Sequence, residues 1–178
     1  PGDKGGIQAY EFDGKAGQLK PLQRTAGVEN PFFLALSPDR KFLFSIHARQ
    51  FGGKENEQVA AYQIMGRSGD LKLLNRQASG GAGPCHLVVD RRGKNVLVAN
   101  YGGGNAAVLP IEDDGRLGER TAFVQHTGKG TDPSRQEAPH AHSINLDTAN
   151  RYAFIADLGL DQVFVYRFDA DKGHLTKN

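Results

Sequence analysis

Three runs of alternating bulky and small or polar residues recur along the chain, and this repeat constrains the fold more than any other feature. The runs are KFLFSIHA from Lys41, KNVLVANY from Lys94 and RYAFIADL from Arg151. Their starts are 53 and 57 residues apart, and each run closes on a polar side chain: His47, Asn100 or Asp157. Alternation with a period of two is typical of β-strands. We therefore predict equivalent strands at Lys41–Ala48, Lys94–Tyr101 and Arg151–Leu158.

Two further series keep the same phase, which extends the repeat to a four-stranded unit. Strand-like segments precede each run in VENPFFLALSPD, GAGPCHLVVDRR and APHAHSINLDTA. Segments with an Asp/Gly-rich turn occur in AYEFDGKAGQL, AYQIMGRSGDL, VLPIEDDGRL and VYRFDADKGHL. Four-stranded units of about 40 to 50 residues are typical of β-propeller blades. No amphipathic helix of ten or more residues is recognisable, so the fold class is all-β. The alternative is a β-sandwich whose spacing is coincidental.

Length and charge narrow the function classes. The 178 residues correspond to one partial β-propeller domain over 1–178, with about three and a half blades. Such a domain leaves open sheet edges, which we expect the rest of the ring or a second copy to cover. A net charge of +2 without a Lys/Arg-rich run argues against nucleic-acid binding. No apolar stretch approaches the roughly 20 residues that cross a bilayer. One cysteine excludes an internal disulfide and leaves the compartment open, with the cytoplasm favoured.

Several motifs resemble those of the seven-bladed lactonase propellers. They are GGIQAYEFD, GAGPCHLVVD, NVLVANYGGGN, HTGKG, PSRQEAPHAHSI and ADLGLDQVFVYRFD, and the resemblance runs from about Gly6 to Lys177. That family includes bacterial 6-phosphogluconolactonases and fungal 3-carboxy-muconate lactonizing enzymes. The resemblance implies about half of a seven-bladed ring, inactive by itself. It also implies hydrolysis of an anionic sugar lactone such as 6-phosphogluconolactone. The alternatives are a muconate-type lactonizing cycloisomerase and a non-catalytic propeller that binds a metabolite or a protein.

The segment HTGKGTDPSRQEAPHAH, residues 126 to 142, carries the predicted catalytic residues His140, His142 and Glu137. Residues i and i+2 of a regular strand point to the same side, so both imidazoles are expected to face one space. Lactone hydrolysis needs a base for water and a donor for the oxyanion. Imidazole, with an ordinary pKa of about 6.5, suits the base. Glu137 either orients a histidine or acts as the base. The structural alternative is a hydrogen-bonded strand entrance.

Four further residues are predicted to bind substrate: Arg135, His86, Asn100 and Lys129. The guanidinium of Arg135 presents a fork of donors suited to a phosphate or a carboxylate, although it could instead pair with Glu137. We expect His86, His140 and His142 at one end of the propeller axis, on the innermost strands, with Arg135 close by.

No metal site is predicted, and three other sequence features are predicted to have structural roles. Two histidines could begin a zinc site, but no third ligand is fixed by spacing, although His86, Glu137 or Asp157 could converge. We predict no metal and no cofactor. YGGGN, residues 101 to 105, is predicted to be a hairpin turn, since no helix follows to bind phosphate. Cys85 is predicted to be inert. Core packing is predicted for Tyr10, Tyr62 and Tyr166.

Overall fold

The computed structural model describes residues 5–31, 33–48 and 56–178, in which every regular element is a β-strand. A two-stranded antiparallel sheet comprises β1 (Gly6–Asp13) and β2 (Gln18–Ala26). Sheet I comprises β3 (Leu34–Leu36), β4 (Phe42–His47), β5 (Asn56–Met65) and β6 (Asp70–Ala82). Sheet II comprises β7 (Pro84–Val89), β8 (Asn95–Asn100), β9 (Asn105–Pro110) and β10 (Ala122–Gln125). Sheet III comprises β11 (Ala141–Leu146), β12 (Tyr152–Asp157), β13 (Gln162–Asp169) and β14 (His174–Lys177).

The predicted repeat is confirmed. Strands β4, β8 and β12, which correspond to the three predicted runs, each take the second position in a four-stranded sheet. Neighbouring strands in every sheet follow one another along the chain and pair antiparallel. The predicted YGGGN hairpin is also confirmed, because residues 101–104 form the turn between β8 and β9.

Apolar side chains lie on both faces of sheet II. Val96 and Val98 of β8 pack against residues of sheet I, whereas Leu97 and Ala99 of the same strand pack against sheet III. The period of two sends successive side chains to opposite faces, so a strand buried on both sides loses the usual polar alternation. Every residue of β8 is buried. The sheets are therefore stacked face to face, with one apolar core on each side of sheet II.

The turns between the first and second strands share one geometry. The residue at the left-handed position is Arg40 in sheet I, Gly93 in sheet II and Asn150 in sheet III, with φ of 59°, 68° and 62°. Gly and Asn adopt this conformation readily, and Arg does so at some cost. The side chain of Asp90 or Asp147 closes its turn by accepting backbone N–H groups. The same local chemistry thus starts each sheet in the same way.

First strands of adjacent sheets lie side by side. β7 contacts both β3 and β11, and each of the three is an edge strand of its own sheet. This arrangement places the segments that enter β7 and β11 next to each other. It is the arrangement expected for the innermost strands of a propeller.

Two of the three tyrosines predicted for the core are buried, and one is exposed. Tyr62 and Tyr166 are buried between sheets. The prediction for Tyr10 is wrong, because its side chain is 52% exposed on the two-stranded sheet. Phe154 and Val163 are likewise exposed on the outer face of sheet III. Among the described residues there is no helix long and apolar enough to cross a membrane.

Candidate active site

The segment between β10 and β11 has a defined path to the first strand of sheet III. The backbone N–H of Gln136 donates to the carbonyl of Asp132 at 2.7 Å, which closes a turn. The side-chain oxygen of Gln136 accepts the N–H groups of Thr131 and Asp132, both at 3.0 Å. The Gln136 amide also donates to the carbonyl of Leu158 at 3.1 Å. These bonds fix the segment against the end of β12 and set the approach to the two histidines.

A β-bulge at His142 changes the expected side-chain alternation. Ala141 pairs with Asp157 and Ser143 pairs with Ala156, so His142 is an extra residue without a partner in β12. A bulge of this kind re-aims the side chain at the inserted position. His140 is accordingly 9% exposed, whereas His142 is exposed. The regular alternation that predicted a shared face does not hold here, although both rings contact the same neighbour, Tyr101.

His140 has an acceptor at each ring nitrogen. Its Nδ1 lies 3.1 Å from the backbone carbonyl oxygen of Tyr101, and its Nε2 lies 3.2 Å from Oε1 of Glu137. A carbonyl oxygen can only accept, so Nδ1 carries a proton and donates it. The Glu137 carboxylate is likewise only an acceptor, so both hydrogen bonds are made together when both ring nitrogens carry a proton. The ring also stacks on Tyr101, with centroids 4.4 Å apart and planes 11° apart.

His142 lies on the accessible side of the same tyrosine. Its ring is nearly perpendicular to that of Tyr101, at 88° with centroids 5.6 Å apart. A surface depression beside it is bordered by Ser143, Asp161 and Gln162. His142 is therefore the histidine that a molecule from solvent can reach.

His86 joins the same end of the sheets from β7. Its ring lies 4.3 Å from that of Phe33, which enters β3, and its Nδ1 accepts the backbone N–H of Ile144 at 3.3 Å. Burial lowers the pKa of His86, and the positive charge of His142 lowers it further. His86 is thus neutral at pH 7, with its proton on Nε2. The entrances of three successive first strands meet here, as predicted for His86, His140 and His142.

The charged residues of the segment are exposed. A hydrogen bond from its own backbone N–H and a further one from His140 lower the pKa of Glu137, and the charge of Arg135 acts in the same direction. Glu137 is therefore ionised at neutral pH and orients His140. Arg135 lies close enough to Glu137 to lower its pKa, and Lys129 is exposed earlier in the segment. The predicted closeness of Arg135 to the three histidines stays a prediction.

Asn100 lies apart from the accessible histidine. It is fully buried, and its amide donates to the carbonyl of Ser79 at 3.0 Å and to Oδ1 of Asn105 at 2.8 Å. A substrate at the surface of His142 would not reach this side chain. The position of Asn100 therefore gives its predicted substrate contact no support.

A buried His126–Asp157 pair supports the site and was not predicted as a functional feature. Nδ1 of His126 lies 2.6 Å from Oδ2 of Asp157, and both side chains are almost completely buried. Oδ1 of Asp157 accepts the backbone N–H groups of His140 at 2.8 Å and Leu160 at 3.1 Å. Asp157 thus fixes the backbone of His140. In the sequence, only the position of Asp157 at the end of a repeated strand could have indicated this role.

The YGGGN turn contributes to the site beyond closing a hairpin. Tyr101 contacts both catalytic candidates, and Gly104 packs against Pro139, which precedes His140. A Cβ on Gly104 would lie 2.5 Å from the carbonyl oxygen of Pro139, so only glycine fits without a shift. The sequence does not reveal this contact, because the two segments are distant along the chain.

The thiol of Cys85 and a bound metal ion are two further possible sources of chemistry at the site. Burial raises the pKa of Cys85 to about 11, which agrees with the predicted inert thiol. Within residues 5–31, 33–48 and 56–178, no group of three or more His, Cys, Asp or Glu side chains could hold a metal ion. The predicted lack of a metal and of a cofactor stays a prediction.

Comparison with known proteins gives one consistent family. The sequence model described as "Lactonase, 7-bladed beta-propeller" matches residues 1–178. The 6-phosphogluconolactonase of Bacillus subtilis is 36% identical over 166 residues, which are 93% of this chain and 46% of that protein. The 6-phosphogluconolactonase of Formosa agariphila is 32% identical over 166 residues, with the same coverage. The chain spans about half the length of these curated relatives.

A solved structure agrees with the sequence matches. The periplasmic gluconolactonase of Pseudomonas aeruginosa superimposes with a TM-score of 0.86 at 32% identity. The match covers 98% of this chain and 50% of that one.

Asp157→Ala should destabilise the complete protein by about 3–5 kcal/mol, because removal of one partner of a buried pair leaves the other without compensation. The N–H groups of His140 and Leu160 also lose their acceptor. Denaturant unfolding measures the change, and Asp113→Ala, at an exposed aspartate, is the control. A loss no larger than that of the control would show that Asp157 does not anchor the segment.

His86 should titrate below the ordinary histidine pKa of 6.5 in the folded protein and near 6.5 when unfolded. Since the folded state resists protonation, this histidine should reduce stability as the pH falls below 6.5. In His142→Ala the pKa of His86 should rise, because one of its two lowering causes is removed. Histidine NMR titration tests both statements. An unchanged His86 pKa in the variant would place the two rings too far apart to interact.

Proposed function

Because the chain belongs to the lactonase family of seven-bladed β-propellers, we propose that the complete protein hydrolyses a sugar lactone at the His140–His142 site. The relatives named 6-phosphogluconolactonase, at 32% and 36% identity, support this reaction class. The observation that carries the proposal is the pinning of His140 between the Tyr101 carbonyl and the Glu137 carboxylate, next to the exposed His142.

Each histidine has a distinct part in the proposed reaction. Hydrolysis forms a bond between a water oxygen and the carbonyl carbon, and it breaks the bond between that carbon and the ring oxygen. His142, which solvent reaches, takes the proton of the attacking water. His140 starts with a proton on each ring nitrogen, donates the Nε2 proton to the departing ring oxygen and is left with its proton on Nδ1. Glu137 orients Nε2. Neutral His86 offers its Nε2–H as a further hydrogen-bond donor.

The proposed substrate is an anionic lactone, 6-phosphogluconolactone. Arg135 and Lys129 are exposed cations on the segment that leads to the histidines, and a guanidinium fits a phosphate through paired donors. The relatives carry both phosphorylated and unphosphorylated substrates in their names. Phosphate binding is therefore proposed as a property separate from the hydrolytic step.

The proposal concerns the complete protein, and the isolated 178 residues are expected to be inactive. The chain covers 46% of each of the two curated relatives. The depression beside His142 is also bordered by Val163, which is 62% exposed on the outer face of sheet III. We propose that the remaining residues of a longer chain cover this face and complete the substrate site.

His142→Ala and His140→Ala should each lower kcat for 6-phosphogluconolactone in the complete protein by about 10²- to 10⁴-fold, the usual effect of losing a general acid or base. Thermal stability should remain close to that of the wild type. His174→Ala, at an exposed histidine of β14, is the matched control and should keep full activity.

Two results would contradict this account. If both variants hydrolyse the lactone at the wild-type rate but melt early, the histidines are structural. If the wild-type protein hydrolyses neither 6-phosphogluconolactone nor gluconolactone, the proposed reaction is wrong. Formation of a lactone from an unsaturated dicarboxylate, or binding alone, would then be the alternative to assay.

Arg135→Ala should raise the KM for 6-phosphogluconolactone by about 10-fold, since a hydrogen bond to a charged group contributes about that factor. The KM for gluconolactone, which lacks the phosphate, should change less than about 2-fold by the same argument. Arg116→Ala, at an exposed arginine paired with Asp114, is the control. Equal effects of Arg135→Ala on both lactones would rule out phosphate binding by this residue.

A further inference from the structure

We propose that Tyr101, which follows the second strand of sheet II, is the positioning residue for both histidines of sheet III. The catalytic meaning of this inference rests on the proposed function, whereas the positioning itself does not. Tyr101 donates or accepts no proton in the reaction. Its backbone carbonyl and its side chain fix the ring of His140, and its side chain orients the ring of His142.

The ring of Tyr101 is shared by the two histidines. It stacks on His140 at a centroid distance of 4.4 Å and meets His142 edge-on at 5.6 Å. Stacked and T-shaped aromatic pairs with centroids about 4.5–7 Å apart are the favoured geometries. Each such pair favours the observed arrangement by roughly 2- to 12-fold. The edge-on contact with Tyr101 orients the ring of His142, which the bulge leaves without a partner in β12.

The backbone of Tyr101 determines which ring nitrogen of His140 faces Glu137. The carbonyl oxygen accepts from Nδ1, which directs Nε2 toward the carboxylate. Loss of the stacking contact would release the ring from this position and weaken both hydrogen bonds.

The turn that carries Tyr101 is itself held in place. The N–H of Tyr101 donates to the carbonyl of Gly83 at 2.8 Å, and the N–H of Gly103 donates to that of Ala82 at 3.0 Å. The carbonyl of Gly104 accepts the N–H of His126 at 3.0 Å, at the beginning of the segment that leads to the histidines. The turn that carries Tyr101 is therefore held by backbone hydrogen bonds that do not involve His140 or His142. Sheet II supplies the reference for a site whose reactive groups come from sheet III.

The first test reads the placement of the rings by NMR in the complete wild-type protein, labelled with ¹⁵N-histidine. The ring protons of both histidines should show nuclear Overhauser contacts with those of Tyr101, and those of His140 should be shifted upfield by the stacked ring. His140→Gln and His142→Gln assign the signals. Absence of these contacts in the folded wild-type protein would overturn the proposal.

The second test compares Tyr101→Phe with Tyr101→Leu in the complete protein. The Phe variant keeps the ring and should retain the wild-type histidine signals, pH profile and kcat. The Leu variant should show altered ring signals of both histidines, a displaced pH profile and a kcat reduced by roughly 10-fold or more, with little change in KM. Wild-type histidine signals and kinetics in a folded Leu variant would overturn the proposal.

The outcomes separate this inference from the proposed function. If the wild-type protein hydrolyses no lactone but shows the contacts of Tyr101 with both histidine rings, and the Leu variant alters the histidine signals, the positioning role stands and the lactonase proposal falls. If the histidine variants lose activity and the Leu variant does not, the lactonase proposal stands and the positioning role falls.

Discussion

Burial of both faces of sheet II is the constraint on which the rest of the structure depends. Sheet II can be apolar on both sides only because sheets I and III cover it, and successive residues of β8 pack alternately on one neighbour and the other. Alone, a four-stranded sheet of this composition would expose two apolar faces to water. Stacking therefore decides where the first strands lie. It brings the entrances of β7 and β11 together, and with them His86, His140 and His142.

A second set of contacts ties each sheet to the one before it. The polar residues that end β4, β8 and β12 are buried, and each interacts with the last strand of the preceding sheet or with the segment that follows that strand. His47 lies 3.9 Å from Glu29, Asn100 donates to Ser79, and Asp157 pairs with His126. Because a buried polar group needs a partner, these positions link the sheets in a fixed register. At Asp157 the link also holds the backbone of His140. The Asp157 carboxylate thus links sheet III to the segment that leaves sheet II and fixes the backbone of a proposed catalytic histidine.

The fold was predictable from the sequence to a greater degree than the site was. Alternation and spacing depend on local residue order, so they predicted the four-stranded units, and the family match confirms the seven-bladed propeller class with about half the ring in this chain. The contacts of the site depend on distant segments. Spacing suggested that His140 and His142 share a face. A bulge at His142 changes the direction of its side chain, and the two rings contact Tyr101 in different orientations. The sequence marked Asn100 as a polar strand end without showing that it is fully buried.

The central claim is that His140 and His142, which Tyr101 positions, bind the reacting end of a sugar lactone. A crystal structure of the complete protein with 6-phosphogluconate, the product of hydrolysis, tests this most directly. The account predicts the product carboxylate within hydrogen-bonding distance of His142 and of Nε2 of His140, with the phosphate toward Arg135. A carboxylate bound elsewhere on the propeller, with His142 still exposed to solvent and His140 still packed on Tyr101, would contradict the account.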